Sequence, residues 1–294
     1  MKKPNTSFIL CSRNDGYKEN ERFLIHLTYL LETFDEVIYI DWNSEGGSFL
    51  YEIIDDLPKT GRLKHFVISP YYHKLLTNND PDAQKCCNVL AVNIGLRRTE
   101  ANWITLGTID LIPPSKNDLD KFIKEADKNT FYTFSRREIE YNDVLDNRNN
   151  LHSFREKLNA TTSPRYYPAK VTPNDNYSLI NCCGDFQLAP KEIWLKIKGL
   201  EENMLYSCFV DTNAQKKAAL NGFNIKAIYD LPIYHMSHTK NMMPQGGDLN
   251  TMIDSNNGKV PKYNDAWEWV EFFEESQNDE DWGLGNVEIE YEVI

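Results

Sequence analysis

The sequence predicts an α/β protein built on an open sheet with helices packed against it. Short apolar runs alternate with segments of helical periodicity. Several of those runs end in a polar or acidic residue. The composition, 41% hydrophobic and 26% charged over 294 residues, belongs to a folded globular chain and excludes general disorder.

Residues 7–11 read as a short buried strand. In the stretch 18–34, Phe23, Leu24, Leu27, Leu30, Leu31 and Phe34 step at helical spacing. Residues 37–40 form a second strand ending in Asp41, and 66–68 a third. Residues 82–97 read as helical, and 103–106 as a fourth strand leading into Thr108-Ile109-Asp110. Strand, helix, strand, repeated, is the pattern of an open parallel sheet, where ligands gather beyond the carboxyl ends of the strands. Arg13, Asp41 and Asp110 stand at those ends.

Further on, 116–127 reads as a helix and 131–134 as a strand. The stretch 140–178, rich in Asn and Pro and weakly periodic, reads as a long loop. Order returns at 182–186. Pro190 opens a helix that runs to about Lys198 and closes on Gly199. A helix over 209–220 is followed by Gly222, then by strands at 225–228 and 233–234. Residues 239–262 read as a flexible loop, and 266–275 as an amphipathic helix carrying Trp267 and Trp269.

Charge is uneven. The net charge is -12, yet no Lys or Arg follows Lys262, and the tail from Tyr263 carries 11 acidic residues. Residues 1–262 hold all 32 basic side chains against 33 acidic ones, so the body is close to neutral. Neither part offers the basic stripe that nucleic acid requires. The tail's aromatic residues predict that it docks on the body. No run of about 18 apolar residues exists, so no membrane-spanning helix is expected. The apolar stretch 8–11 is too short for a signal-peptide core, which reads as a cytoplasmic protein. Of six cysteines, Cys86–Cys87 and Cys182–Cys183 are vicinal and no CxxC occurs, a pattern of buried reduced thiols.

There is no GxGxxG and no GxxxxGK[ST] loop. A nucleotide diphosphate bound without such a loop needs a cation. A hard metal held by one or two carboxylates, with phosphate oxygens and water, is one solution.

Several segments together resemble GT-A glycosyltransferases, in particular a family-2-like subgroup of uncharacterised bacterial and viral members. They are residues 7–15 (SFILCSRND), 36–44 (EVIYIDWNS) and 88–112, which holds Asn93-Ile94-Gly95-Leu96-Arg97-Arg98 and Thr108-Ile109-Asp110. Gly184-Asp185-Phe186, Val210-Asp211, the run from Ile233 to His238 and residues 278–290 follow in the matching order. The likeness covers nearly the whole chain. It implies an open mixed sheet flanked by helices, in one domain over 1–240. The nucleotide-sugar half is 1–115 and the acceptor-side half 116–240; 241–294 forms a loop and an acidic, aromatic extension.

The resemblance also implies roles. Asp41 would bond the base or ribose, with Ser12 and Arg13 lining the base pocket. Asn93 and Arg97 would contact the donor sugar or phosphate, or else belong to a solvated basic face. Asp110 falls where the DxD motif ends and would bind Mn2+ or Mg2+; Thr108 replaces the first acid and can position a ribose or a water. His238 or His235 would complete the metal shell; His238 is favoured, and His235 is otherwise expected to pack beside Tyr234. Asp211 is the expected general base, or else a helix cap, with Asp185 its competitor or an acceptor contact. Trp194, Trp267, Trp269 and Trp282 are either core or sugar-stacking surfaces. The implied partners are a nucleotide sugar, most simply a UDP-sugar, and a glycan or other hydroxyl acceptor. Thr108 and Val210 also motivate a catalytically lapsed binding protein. A sugar nucleotidyltransferase shares the open sheet but usually carries a Gly-rich loop after its first strand.

Overall fold

The computed structural model describes residues 3–14, 20–44, 46–80, 83, 85–161, 184–205, 210–237 and 278–294. The strands are β1 (Thr6–Ser12), β2 (Glu36–Trp42), β3 (Leu63–Ile68), β4 (Trp103–Gly107) and β5 (Leu111–Ile112), then β6 (Thr130–Ile139), β7 (Phe186–Pro190), β8 (Asn224–Met236) and β9 (Tyr291–Val293). The helices are α1 (Asn20–Thr33), α2 (Leu50–Ile53), α3 (Pro70–Leu76), α4 (Asn88–Arg98) and α5 (Lys116–Glu125), then α6 (Tyr141–Asp146), α7 (Leu151–Thr161), α8 (Lys191–Lys196) and α9 (Val210–Leu220).

All nine strands join one sheet in the order β5-β8-β6-β7-β4-β1-β2-β3-β9. β1 to β4 run parallel, and β6 is parallel to β8. β5, β7 and β9 are antiparallel to their neighbours. The sheet is therefore mixed, as the resemblance implied, and not all-parallel as strand–helix alternation alone suggests. The physical reason is the point of entry. The chain reaches β7 through the Gly184–Asp185 turn, beside the carboxyl end of β4, and has to run back down.

Every residue of β1 is buried, because helices cover both faces of the sheet there. Phe8 and Leu10 pack against α1 and α5 through Leu27, Leu30, Leu119 and Ile123. Ile9 and Cys11 face the other layer, with Ile94, Trp194 and Ala214. A Cβ on Gly95 would lie 2.5 Å from Ile9 Cγ2, so α4 sits on β1 only because residue 95 has no side chain. Strand order reverses at β1: β2 and β3 lie to one side, β4 to the other. That reversal opens a crevice beyond the carboxyl ends of β1 and β4.

Three expectations need correction. The helix expected over 82–97 starts only at Asn88; Cys87, at φ −84° and ψ 87°, sits outside helical geometry. The long loop expected from 140 begins instead with α6 and α7, whose Val144, Phe154 and Leu158 pack with Ile25, Tyr29 and Tyr234. Asparagines between those apolar positions hide their periodicity. The two strands expected at 225–228 and 233–234 are one, β8, and a register shift between Phe134 and Arg136 on β6 absorbs the irregular middle. The segments 239–262 and 266–275, with Trp267 and Trp269, lie outside the described residues.

Residues 278–294 return to the body. The Arg98 guanidinium donates to the carbonyls of Gly283, Leu284 and Val287 at 2.8, 2.9 and 2.7 Å. Trp282 is buried beneath Arg97, whose guanidinium lies 5.0 Å from the ring centroid. β9 then extends the sheet beside β3. Among the described residues no helix is long and apolar enough to cross a membrane. Trp282→Ala is expected to cost about 3–5 kcal/mol, the usual loss for a buried Trp. Denaturant unfolding checks this, and limited proteolysis should show early cleavage C-terminal to residue 278.

Candidate functional site

Asp110 occupies the turn between β4 and β5. β5 pairs with β8 in the register Leu111↔His235, which brings Asp110 alongside His235. His235 Nε2 lies 3.0 Å from Asp110 Oδ2. On the other side of β8, Glu138 of β6 is the register partner of His235, and its carboxylate accepts from Nδ1–H at 2.7 Å. Arg136, two residues earlier on the same strand face, donates to Glu138 at 2.6 Å and to Asp185 Oδ2 at 2.5 Å. Thr108 Oγ1 donates to Asp110 Oδ1. One polar line thus runs from Thr108 through Asp110, His235, Glu138 and Arg136 to Asp185.

Burial pushes the His235 imidazole down, but the hydrogen bond and charge of Asp110 outweigh it, with Glu138 adding and Arg136 opposing. The ring's pKa is held above its ordinary value. Helix α1 braces this contact from beneath. His26 Nδ1–H donates to the Leu111 carbonyl at 2.6 Å, and Arg22 donates to the carbonyls of Met236 and Ser237 at 2.9 and 3.0 Å. Burial pushes His26 down to about 4, so it grips that carbonyl as a neutral ring.

Beside this line lies a cleft of about 250 Å³, lined by Asn88, Val92, Gly107, Thr108, Gly184, Asp185 and Asp211. Asp211 is the second residue of α9, past the cap position. Gln187 of β7 donates to its carbonyl at 3.1 Å and fixes the start of the helix. A Cβ on Gly184 would fall 2.4 Å from both Cβ and Oδ2 of Asp211. The turn before β7 and the Asp211 side chain are therefore in tight contact.

Asp41, the penultimate residue of β2, is 1% exposed. Its Oδ1 accepts from Ser44 Oγ, while its buried Oδ2 has no hydrogen-bond partner among the described residues. A buried carboxylate oxygen without a donor is costly, and such atoms in native proteins call for an explanation. Arg13 Nε donates to the Asn43 carbonyl at 2.8 Å, and the Asn14 N–H donates to Ser44 Oγ at 2.8 Å. The segments after β1 and β2 are thereby laced together.

The structure redirects several expected residues. His235, expected to pack beside Tyr234, faces Asp110. His238 lies outside the described residues. The Ser12 hydroxyl is turned inward, 2.8 Å from the Tyr39 hydroxyl, so it supports the crevice from within. Asn93 is fully buried; its amide donates to the Leu200 carbonyl at 2.8 Å and to Glu202 at 3.0 Å, and its oxygen accepts from the Leu200 N–H. Arg97 packs on Trp282. Asn88 and Val92, four apart, form the face of α4 that reaches the cleft; Asn93 and Arg97 lie on another face. Trp194 and Trp282 are core, at 0% and 3% exposure, and not stacking surfaces. The sequence reading missed Glu138 and Arg136. Their signal was the run of three charges Arg136-Arg137-Glu138 near the end of a strand.

Among the described residues no group of three His, Cys, Asp or Glu side chains is placed to hold a metal. Asp110 and His235 are a two-donor set. The two would supply one nitrogen and one oxygen donor to a divalent ion.

No family model and no curated protein matches the sequence. Solved structures do match by fold. GalNAc-T7, crystallised with UDP, GalNAc and Mn2+, aligns at a TM-score of 0.52 and 12% identity over 92% of this chain and 54% of that one. The chain has the GT-A glycosyltransferase fold. TarS of S. aureus aligns at 0.47 and 12% identity, over 90% of this chain and 41% of that one. The chain thus spans about half the length of the structures it matches.

Gly184→Ala is expected to destabilise the fold by about 1–3 kcal/mol, the scale of overpacking a tight contact. Urea unfolding of the variant checks it, and a midpoint equal to the parent's would contradict the Gly184–Asp211 contact.

Proposed function

We propose that this chain is a metal-dependent glycosyltransferase that moves a sugar from a nucleotide diphosphate, UDP in the simplest case, to an acceptor hydroxyl. The observation that carries the reading is the Asp110–His235 contact beside the carboxylate-lined cleft that follows β4. The likeness to a structure that holds UDP, GalNAc and Mn2+ supports the same chemistry.

The geometry supports the following roles. Asp41, near the end of β2, would accept an N–H or O–H of the nucleoside. Asp110 and His235 would hold Mn2+ or Mg2+. When bound, the ion neutralises charge on the departing diphosphate. Thr108 ties Asp110 Oδ1 and leaves Oδ2 directed at His235, while Glu138 on Nδ1 directs Nε2 toward Asp110. In an inverting transfer, Asp211 takes the proton of the acceptor hydroxyl as that oxygen attacks the anomeric carbon. Asp185, engaged by Arg136, positions the acceptor.

Asp110→Asn and His235→Ala are each expected to abolish Mn2+-dependent UDP binding in calorimetry. Equal binding in parent and variants, unaffected by EDTA, would reject the metal assignment. Asp211→Asn is expected to leave UDP binding intact while donor turnover, measured over a panel of nucleotide sugars, falls by about 10²-fold or more. Normal turnover in a destabilised variant would make Asp211 structural and move the base to Asp185. A parent that binds nucleotide sugars with Mn2+ yet turns none over would instead be a lapsed binding protein.

A further inference from the structure

The thiols of Cys11 and Cys86 come together from positions 75 residues apart, with their sulfurs 3.6 Å from each other. Cys11 is the penultimate residue of β1 and is 8% exposed; Cys86, just before α4, is half-buried. Both are free thiols. The segment carrying Cys86 is anchored, since the Asn43 side-chain amide donates to the Lys85 carbonyl at 3.1 Å. The two sulfurs are therefore neighbours held by separate parts of the fold. Closing from 3.6 Å to an S–S bond of about 2.05 Å requires an approach of roughly 1.5 Å, within reach of side-chain rotation and a small shift before α4.

The vicinal alternative is disfavoured. Adjacent Cα atoms are about 3.8 Å apart, below the usual disulfide range that starts near 4.4 Å. Cys87 is also fully buried, and burial pushes its thiol up to about 12. Burial also holds the Cys11 thiol well above its ordinary range. Cys86 is thus the member of the trio that a solute reaches first.

We propose that Cys11 and Cys86 are a redox modification site that forms a reversible disulfide when the folded chain meets a peroxide-class oxidant. The Cys86 sulfur attacks one oxygen of hydrogen peroxide, the O–O bond breaks, and a sulfenic acid and one water result. The Cys11 sulfur then attacks the Cys86 sulfur. The S–S bond forms, the S–O bond breaks, and the hydroxide leaves as a second water with the Cys11 proton. Two thiols are oxidised by two electrons and one peroxide is reduced to two waters. Stoichiometry and geometry rest on the thiol pair alone and do not depend on the proposed transferase activity.

The test uses the folded full-length chain. Hydrogen peroxide treatment is followed by blocking of free thiols and peptide mass spectrometry without reduction. The expected product is a Cys11–Cys86 cross-linked peptide that disappears with dithiothreitol. Cys87→Ser should retain the cross-link. Cys86→Ser should lose it and leave Cys11 open to alkylation after denaturation. The proposal is overturned if Cys86 accumulates as sulfinic acid without a cross-link. It is equally overturned if Cys11 or Cys86 pairs with another cysteine, or if both remain fully alkylatable after peroxide.

Discussion

Burial of β1 on both faces is the constraint from which the rest of this structure follows. Seven consecutive buried residues need a helical layer above and another below. Phe8 and Leu10 require α1, and Ile9 and Cys11 require α4. Once those helices are in place, β2 and β4 have to flank β1 on opposite sides. The crevice beyond β1 and β4 is thus a by-product of core formation. The residues that reach it are those that happen to follow the last buried position of each strand.

Polar side chains then convert that crevice into a defined site. Arg22 and His26 are buried on α1, one turn apart, and their donors go to strand-end carbonyls on either side of the Asp110–His235 contact. Such contacts are directional where apolar packing is not, so they set the position of the turn after β4 against the end of β8. Arg136 has the same function on the far side, because one guanidinium holds both Glu138 and Asp185. Displacing any one member would leave a charged partner without its counter-ion in a partly buried place, which is expensive.

Thr108 stands where the resemblance leads one to expect an acid, and its surroundings are polar. Thr108 lends its hydroxyl to Asp110, and the imidazole comes from a strand more than a hundred residues away. The contact between the Asp110 carboxylate and the His235 imidazole arises from the β5–β8 pairing, which involves only two residues of β5.

The sequence by itself determined the α/β class, the central strands, α1, α5 and α8, and the presence of Asp41 and Asp110 at strand ends. Those features are local: apolar periodicity, Pro190, Gly199 at φ +68° and the polar residue after a buried run can all be read within a short window. Tertiary structure alone decided that β7 runs antiparallel, that His235 faces Asp110, and that Asn93 and Arg97 serve packing. It also decided that Glu138 and Arg136 join the polar line through His235 and that Cys11 meets Cys86. The physical reason is the same in each case. Which residue a side chain meets across a sheet depends on strand register and helix rotation, and those are fixed by packing of the whole core, not by spacing along the chain.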